Sequence, residues 1–186
     1  LLAASPGMNG EEEFALLFAD DYLIVGTGTG STAGRAPGWS YSHHRGTNFY
    51  EEASVTGGEG VEITSGTEIT SLGWQYLDNG NYGGSGNFRL YLQNTDDTQP
   101  WWTGTNPNWN TIVTQGDESM APPVLVFTGS LNPPASAAGW MEIVFNADTF
   151  IYEGQGLNIA FQWDRSTSGG ESNHHYTFKS STTKFT

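Results

Sequence analysis

The feature that most constrains the fold is an alternation of apolar and polar residues, which recurs from about residue 68 onward. The segment LNIAFQWD places a large apolar residue at every second position: Leu157, Ile159, Phe161 and Trp163. Because successive side chains of a β-strand point to opposite faces of a sheet, this spacing predicts a strand with one buried face. The segments ITSLGWQY, NFRLYLQN and WMEIVFNA repeat the pattern and predict further core residues: Leu72, Trp74, Tyr76, Phe88, Leu90, Leu92, Met141, Ile143 and Phe145.

The segments between these strands are rich in residues that form turns. They include DNGNYGGSG, NPNWN, QGDES, NPPASAAG, YEGQG and STSGG, and the chain has 25 Gly among its 186 residues. Gly, Pro, Asn and Asp favour tight turns and interrupt helices. We therefore expect an all-β chain, an antiparallel β-sandwich of about ten strands with a jelly-roll-like topology. The length is sufficient for one domain with its own core, which we assign to residues 22–186.

The charge and composition of the chain exclude several classes of protein. The net charge is −14 at pH 7, with six Lys and Arg residues, so we expect no nucleic-acid binding, which needs a basic surface. There is no Cys and hence no disulfide, and no apolar run is long enough to insert across a membrane. The chain begins LLAAS, without an initiator Met, as expected for the processed form of an exported protein. We predict a secreted or cell-surface location.

Acidic residues lie in or beside several of the predicted turns. Asp96 and Asp97 follow one strand, and Asp117 and Glu118 lie in the QGDES turn. Calcium binds about six to eight oxygen atoms, which carboxylates and loop carbonyls supply together. The sequence therefore allows a calcium site at these four residues, with solvated acidic loops as the alternative.

Three tryptophans fall in the predicted loop QPWWTGTNPNWN: Trp101, Trp102 and Trp109. Exposed aromatic faces on a β-sandwich stack against sugar rings, and neighbouring Asn, Gln and Asp side chains bind the hydroxyl groups. The pattern predicts a carbohydrate-binding surface. The alternative is that these rings cover an open end of the core or pack against a neighbouring copy.

The sequence contains no arrangement typical of a catalytic site. Ser, His and Asp are present, but no Ser lies in the context of a nucleophile elbow. Glu142 and Asp164 lie on outward positions of separate predicted strands. They would resemble a glycosidase pair only if they faced one another across a sheet. We expect the protein not to be an enzyme.

An apolar segment precedes the predicted domain. Residues 1–21 contain EEEFALLFA, in which Phe14, Leu16, Leu17 and Phe18 are large and apolar. The segment fits a helix with an apolar stripe or a strand with one apolar face. Burying three such side chains stabilises by about 5 kcal/mol, which favours a buried position. The segment folds back on its own domain or adds a strand to the sheet of another subunit, and an open head-to-tail series of such contacts produces a filament.

Four stretches carry a resemblance to a known group of modules. They are VGTGTGSTAGRAPGWSYSHHRGTNFYEEAS, EITSLGWQY, NFRLYLQN with the following NTDDTQPWW, and GWMEIVFNADTFIYEGQGLNIAFQWD. Over roughly residues 25–180 the chain resembles repeated β-sandwich modules in large secreted and surface proteins of gliding and gut-type Gram-negative bacteria, often exported by the type IX system. The resemblance implies a non-catalytic extracellular domain that serves as an adhesive, spacer or carbohydrate-contacting module.

These observations combine into one functional expectation. Such modules occur in tandem within one polypeptide, so a single module with an apolar extension is suited to non-covalent chaining. We expect a structural or adhesive subunit of a surface fibre, a homopolymer assembled through Phe14, Leu16, Leu17 and Phe18. The alternative is a carbohydrate-binding module with glycans as its partners.

Overall fold

The computed structural model describes residues 23–25, 37, 43–56, 59–60, 63–76, 85–97, 108–131, 139–165, 171–172 and 183–185. These residues are mostly β-strands with very little helix, which confirms the all-β prediction. The predicted N-terminal extension, residues 1–21, lies outside them, and so do its predicted contact residues Phe14, Leu16, Leu17 and Phe18.

Twelve strands are present in the described part of the chain: β1 (Leu23–Val25), β2 (His43–Tyr50), β3 (Glu59–Gly60), β4 (Glu68–Ile69), β5 (Ser71–Tyr76), β6 (Gly86–Thr95), β7 (Val124–Leu131), β8 (Gly139–Val144), β9 (Phe150–Ile151), β10 (Gly156–Asp164), β11 (Glu171–Ser172) and β12 (Thr183–Phe185). Two short helices accompany them, α1 (Glu52–Thr56) and α2 (Trp109–Thr114). Since β3, β4, β9 and β11 have only two residues each, the expected number of about ten strands is not confirmed.

The strands form two larger sheets and one small one. The first sheet has the order β3-β1-β12-β5-β8, the second sheet has the order β11-β2-β10-β6-β7, and β4 pairs with β9. The described pairs are antiparallel apart from β2 with β11. The second sheet is centred on β10, which pairs along its whole length with β2 on one side and with β6 on the other.

Apolar side chains from both larger sheets share one core. Trp74 of the first sheet meets Phe88 and Phe161 of the second, with ring centroids 6.4 and 5.6 Å apart. The alternation predicted which side chains these would be, because every second residue of β10 and β6 is buried: Leu157, Ile159, Phe161, Trp163, Phe88, Leu90 and Leu92. Leu72, Met141 and Ile143 are buried as well, Phe145 is partly buried against the same core, and the side chain of Tyr76 is outside the described part.

No helix among the described residues is long and apolar enough to cross a membrane. Both helices instead lie in connections, where α1 follows β2 directly and α2 lies between β6 and β7.

Candidate functional site

The second sheet has an outer face, which we define as the side of β2, β10, β6 and β7 that points away from the shared core. The residues that alternate with the core side chains lie there. Two rows cross the strands at one end of this face: His43, Asp164, Asn87 and Ser130 in the first, and Arg45, Gln162, Arg89 and Thr128 in the second. We call these two rows the open end. Further along the strands, at the covered end, lie Thr47, Phe49, Tyr91, Gln93, Thr95, Asn158 and Ala160.

Helix α2 covers the middle of the outer face. Asn108 caps it, because its side-chain oxygen accepts a hydrogen bond from the backbone N–H of Asn110 at 3.1 Å. Trp109 and Ile112 fall on one side of the helix and pack against Ala160 and the partly buried Tyr91. The sheet is therefore buried on both sides at this point.

Trp109 differs from the sequence expectation. It begins a helix rather than lying in a loop, and it is only 8% exposed. The Arg45 guanidinium carbon lies 5.3 Å from the centre of its ring. In this position the ring fills the space between helix and sheet and offers no open face to a sugar. Trp101 and Trp102 lie outside the described residues, so carbohydrate stacking on them stays a prediction.

Gln93 holds the chain that follows α2 against the covered end. Its side-chain nitrogen donates to the backbone carbonyls of Gln115, Asp117 and Ala121, at 3.3, 3.0 and 3.0 Å. Its side-chain oxygen accepts from the backbone N–H of Asp117 at 2.8 Å. Gln93 is 2% exposed, so these bonds form away from water, where an unpaired amide would be costly.

The turn after α2 also depends on Gly116. Its φ angle is +60°, a left-handed conformation that side chains rarely adopt. A Cβ atom at this position would lie 2.2 Å from the side-chain oxygen of Gln93. Gly116 therefore allows both the turn and the close approach of Gln93.

Asp117 is fixed by the same turn. One carboxylate oxygen accepts from Thr95 Oγ1 at 2.8 Å, and the other accepts from the backbone N–H and the Oγ of Ser119, at 3.0 and 2.7 Å. Burial raises the pKa of Asp117, but the hydrogen bonds from Ser119 and Thr95 outweigh it and leave the pKa below its ordinary value. Asp117 is therefore held as a carboxylate.

Three of the four predicted calcium ligands come together here. Asp96, Asp97 and Asp117 each have a carboxylate oxygen within 4.8 Å of the others. Burial, followed by repulsion from Asp117 and Asp96, raises the pKa of Asp97. Glu118 is exposed and does not belong to this cluster, which we call the acidic cluster.

The acidic cluster has donors of the right type for calcium. Three carboxylates provide up to six oxygens, and water would have to complete the coordination shell. Hydrogen bonds from Thr95 and Ser119 already occupy part of the Asp117 carboxylate, and the one hydroxyl hydrogen of Ser119 is shared with Asp96, whose carboxylate oxygen lies 3.1 Å from Ser119 Oγ. The cluster is thus a turn held by hydrogen bonds among its own side chains, and calcium binding there stays a prediction.

A small cleft lies between α2 and the outer face. Its volume is about 10 Å³, and it is lined by Tyr91, Leu92, Gln93, Ile112, Pro123, Asn158 and Ala160. The side-chain oxygen of Asn158, which is 4% exposed, has no hydrogen-bond partner among the described residues. The cleft has room for about one water molecule, which would satisfy that oxygen, and none for a substrate.

The open end differs in being polar and reachable from solvent. Asp164 accepts hydrogen bonds from Nδ1 of His43 at 2.6 Å and from the side-chain nitrogen of Gln162 at 2.7 Å. Arg89 is exposed and Arg45 is half-buried against Trp109. Sequence reasoning did not select these arginines. The available signal was the register, since both fall at outward positions of predicted strands.

The two carboxylates considered as a glycosidase pair lie apart. Glu142 belongs to β8 in the first sheet, where it accepts a hydrogen bond from Ser71 at 2.6 Å. Asp164 belongs to β10 in the second sheet and is engaged by His43 and Gln162. They do not face one another across a sheet, so Glu142 and Asp164 do not form the carboxylate pair of a glycosidase.

No family model, no curated protein and no solved structure matches this chain.

Proposed function

We propose that the protein is a non-catalytic, extracellular β-sandwich that serves as a structural or adhesive subunit of a surface fibre. In this proposal residues 1–21 dock on a neighbouring subunit, with Phe14, Leu16, Leu17 and Phe18 as anchors. The proposal includes secretion to the cell surface and a relation to the type IX-associated modules that the sequence resembles.

The observation that carries the proposal is the apolar N-terminal segment in front of an antiparallel sheet framework. Such a framework recruits strands through its edges, because each edge strand carries backbone groups suited to pair with another strand. Burial of three large side chains at about 1.5–3 kcal/mol each supplies the driving force.

The sandwich arrangement is supported by the shared core. Side chains from β5 and β8 of the first sheet pack with side chains from β6 and β10 of the second, as the contact of Trp74 with Phe161 illustrates. Two sheets that bury their inner faces against one another form the usual sandwich. A rigid unit of this kind suits a spacer or fibre subunit.

One sheet edge is already capped. The side-chain amide of Asn146 pairs with the backbone of Thr128 in β7 as a neighbouring strand would. Its oxygen accepts from the backbone N–H of Thr128, and its nitrogen donates to the carbonyl of Thr128, both at 3.1 Å. The backbone N–H of Asn146 also donates to Val126 at 3.0 Å. A cap on β7 directs a donor strand away from this edge and toward the other edge strands of the two larger sheets, β3, β8 and β11.

The test compares the intact chain with a chain that lacks residues 1–21. Light scattering and negative-stain electron microscopy measure the size and shape of the particles. The proposal expects filaments or large oligomers of the intact chain and monomers of the truncated chain. Compact monomers of both would overturn it, and an unfolded truncated chain would show that the segment belongs to its own domain. Circular dichroism separates the last two outcomes.

A further inference from the structure

We infer that the open end of the outer face binds acidic saccharides, whose carboxylate groups are recognised by Arg45 and Arg89. This goes beyond the proposed function, because the site uses β2, β6, β7 and β10 and no part of residues 1–21. It would give the subunit a ligand of its own whether or not the chain polymerises.

The first argument is that the two arginines form no ion pairs with the described residues. The chain has 20 acidic and six basic residues, so a basic side chain has many potential partners. Nevertheless Arg89 is exposed and forms no ion pair with the described residues. Arg45 contacts the ring of Trp109, which orients its guanidinium without neutralising it. Both therefore keep hydrogen-bond donors for an external anion.

The second argument is their placement. Arg45 and Arg89 are both Cα partners of Gln162, so they lie on either side of the same residue of β10. Neighbouring strands are about 4.8 Å apart, which separates the two Cα atoms by about 10 Å. Arginine side chains reach over this distance from both sides. The planar fork of a guanidinium binds a carboxylate through two parallel hydrogen bonds, which a lysine does not do.

The third argument is the chemistry around them. Asn87, Thr128 and Ser130 are exposed on the same two rows, and their amide and hydroxyl groups suit the hydroxyls of a sugar. Asp164 is engaged by His43 and Gln162, so it is restrained beside the arginines rather than free to turn toward a ligand. Both rows of the open end carry polar side chains across all four strands, which suits a flat polar ligand.

A protein partner would need a different surface. Protein interfaces are anchored by large apolar or aromatic side chains at their centre. The exposed large apolar residues in the described part of the chain are Val144 and Ile151, and they belong to β8 and β9. Neither lies in the second sheet. The open end thus offers charge and hydroxyl recognition without an apolar anchor, which favours a saccharide.

The net charge of −14 opposes the approach of a polyanion but does not prevent local binding. The screening length is about 8 Å at physiological ionic strength, so distant carboxylates of the protein contribute little to the potential at the open end. The arginines at the site then dominate. Very low salt should weaken binding through long-range repulsion, and high salt should weaken it by screening the arginine contacts.

The experiment measures binding of a galacturonic acid tetrasaccharide to the intact chain by isothermal titration calorimetry. A chelator is present, so that calcium at the acidic cluster cannot bridge protein and ligand. The methyl ester of the same tetrasaccharide is the matched neutral ligand. The variants are Arg89→Gln and Arg45→Gln, and Lys184→Gln removes the same charge from β12 of the first sheet as a control. Circular dichroism and light scattering record folding and assembly of each variant.

The inference expects binding of the acid and at least about tenfold weaker binding of the ester, because charge-assisted bonds are lost. Arg89→Gln should weaken binding of the acid by about tenfold, and Lys184→Gln should leave it within about twofold. Absence of binding, equal binding of acid and ester, or equal effects of Arg89→Gln and Lys184→Gln would each overturn the inference. Arg89 is exposed, so its replacement leaves a folded protein even if Arg45→Gln disturbs Trp109.

Discussion

The two ends of the outer face use the same residue type in opposite ways. Gln93 at the covered end is 2% exposed and connects the sheet to three backbone carbonyls and one backbone N–H of the following turn. Gln162 at the open end is partly exposed and, within the described part of the chain, makes one side-chain hydrogen bond, to Asp164. The strands that carry them, β6 and β10, are direct neighbours.

The comparison shows how a covering segment changes the role of polar side chains on a sheet face. Where α2 and its following turn exclude water, each polar group must find a partner inside the protein, and the amide becomes structural. At the open end, where the side chains are partly exposed, water satisfies the same group at little cost, and the side chain remains able to bind a ligand. Four substitution or titration experiments separate the two situations.

The largest effect is expected for Gln93→Leu. The substitution leaves the carbonyls of Gln115, Asp117 and Ala121 without their donor in a buried place, and it removes the acceptor of an N–H group. We expect a loss of about 3 kcal/mol or more in the free energy of unfolding, measured by urea denaturation. A loss below about 1 kcal/mol would mean that the turn finds other partners.

Asp117→Asn should cost less and should change the response to pH. The folded pKa of Asp117 lies below its ordinary value of 3.8. Its stabilising contribution is therefore present above that value and is lost as the pH falls through the lowered folded pKa. We expect the variant to lose about 1–2 kcal/mol at neutral pH and to show a smaller decline as the pH falls from about 4 through the lowered folded pKa. Parallel pH profiles of the two proteins would contradict the assignment.

The calcium prediction gives an effect of similar or smaller size. If the acidic cluster binds calcium, a free concentration about ten times the Kd raises the free energy of unfolding by about 1.4 kcal/mol. Asp97→Asn should remove this response and, because the pKa of Asp97 is raised in the fold, should stabilise the calcium-free protein at neutral pH. Glu118→Gln is the matched control, since Glu118 lies outside the cluster. Thermal unfolding in the presence of calcium or of a chelator measures the stabilisation of each variant. Equal stabilisation of Asp97→Asn and Glu118→Gln by calcium would exclude this site.

The smallest effect on stability is expected for Gln162→Leu. Among the described residues only its bond to Asp164 is lost, and the side chain is partly exposed, so water replaces the donor. We expect a change within about 0.5 kcal/mol in the same urea experiment. A loss as large as that of Gln93→Leu would show that the two ends are equally structural.

The strands and the inner core could be predicted from the sequence with simple periodicity. Leu157, Ile159, Phe161 and Trp163 are buried as expected, because β10 buries its inner face along its full length. The outer face could not be predicted in the same way. Asn158 and Ala160 are at outward positions of β10, yet both are buried, Ala160 under Trp109 and Ile112 of α2 and Asn158 beside the side chain of Gln93.

The acidic cluster could be predicted only in part, because its members come together through tertiary contacts. Asp96 and Asp97 are far in sequence from Asp117, and their proximity depends on Gln93 and Gly116 holding a turn against the sheet. The composition indicated acidic loops, but it did not indicate which of these loops lie next to one another in the fold. The helix from Trp109 had a local signal, an Asn cap before apolar residues spaced three and four apart, which the surrounding turn residues obscured.

The most direct test of the account maps ligand contacts on the outer face by nuclear magnetic resonance. Backbone amide shifts are recorded while the galacturonic acid tetrasaccharide is added to the intact chain. We expect changes centred on His43–Arg45, Asn87–Arg89 and Gln162–Asp164, with little change at the turn around Asp117. Changes centred on that turn or on α2, or no saturable change at all, would contradict the division of the outer face into a structural end and a binding end.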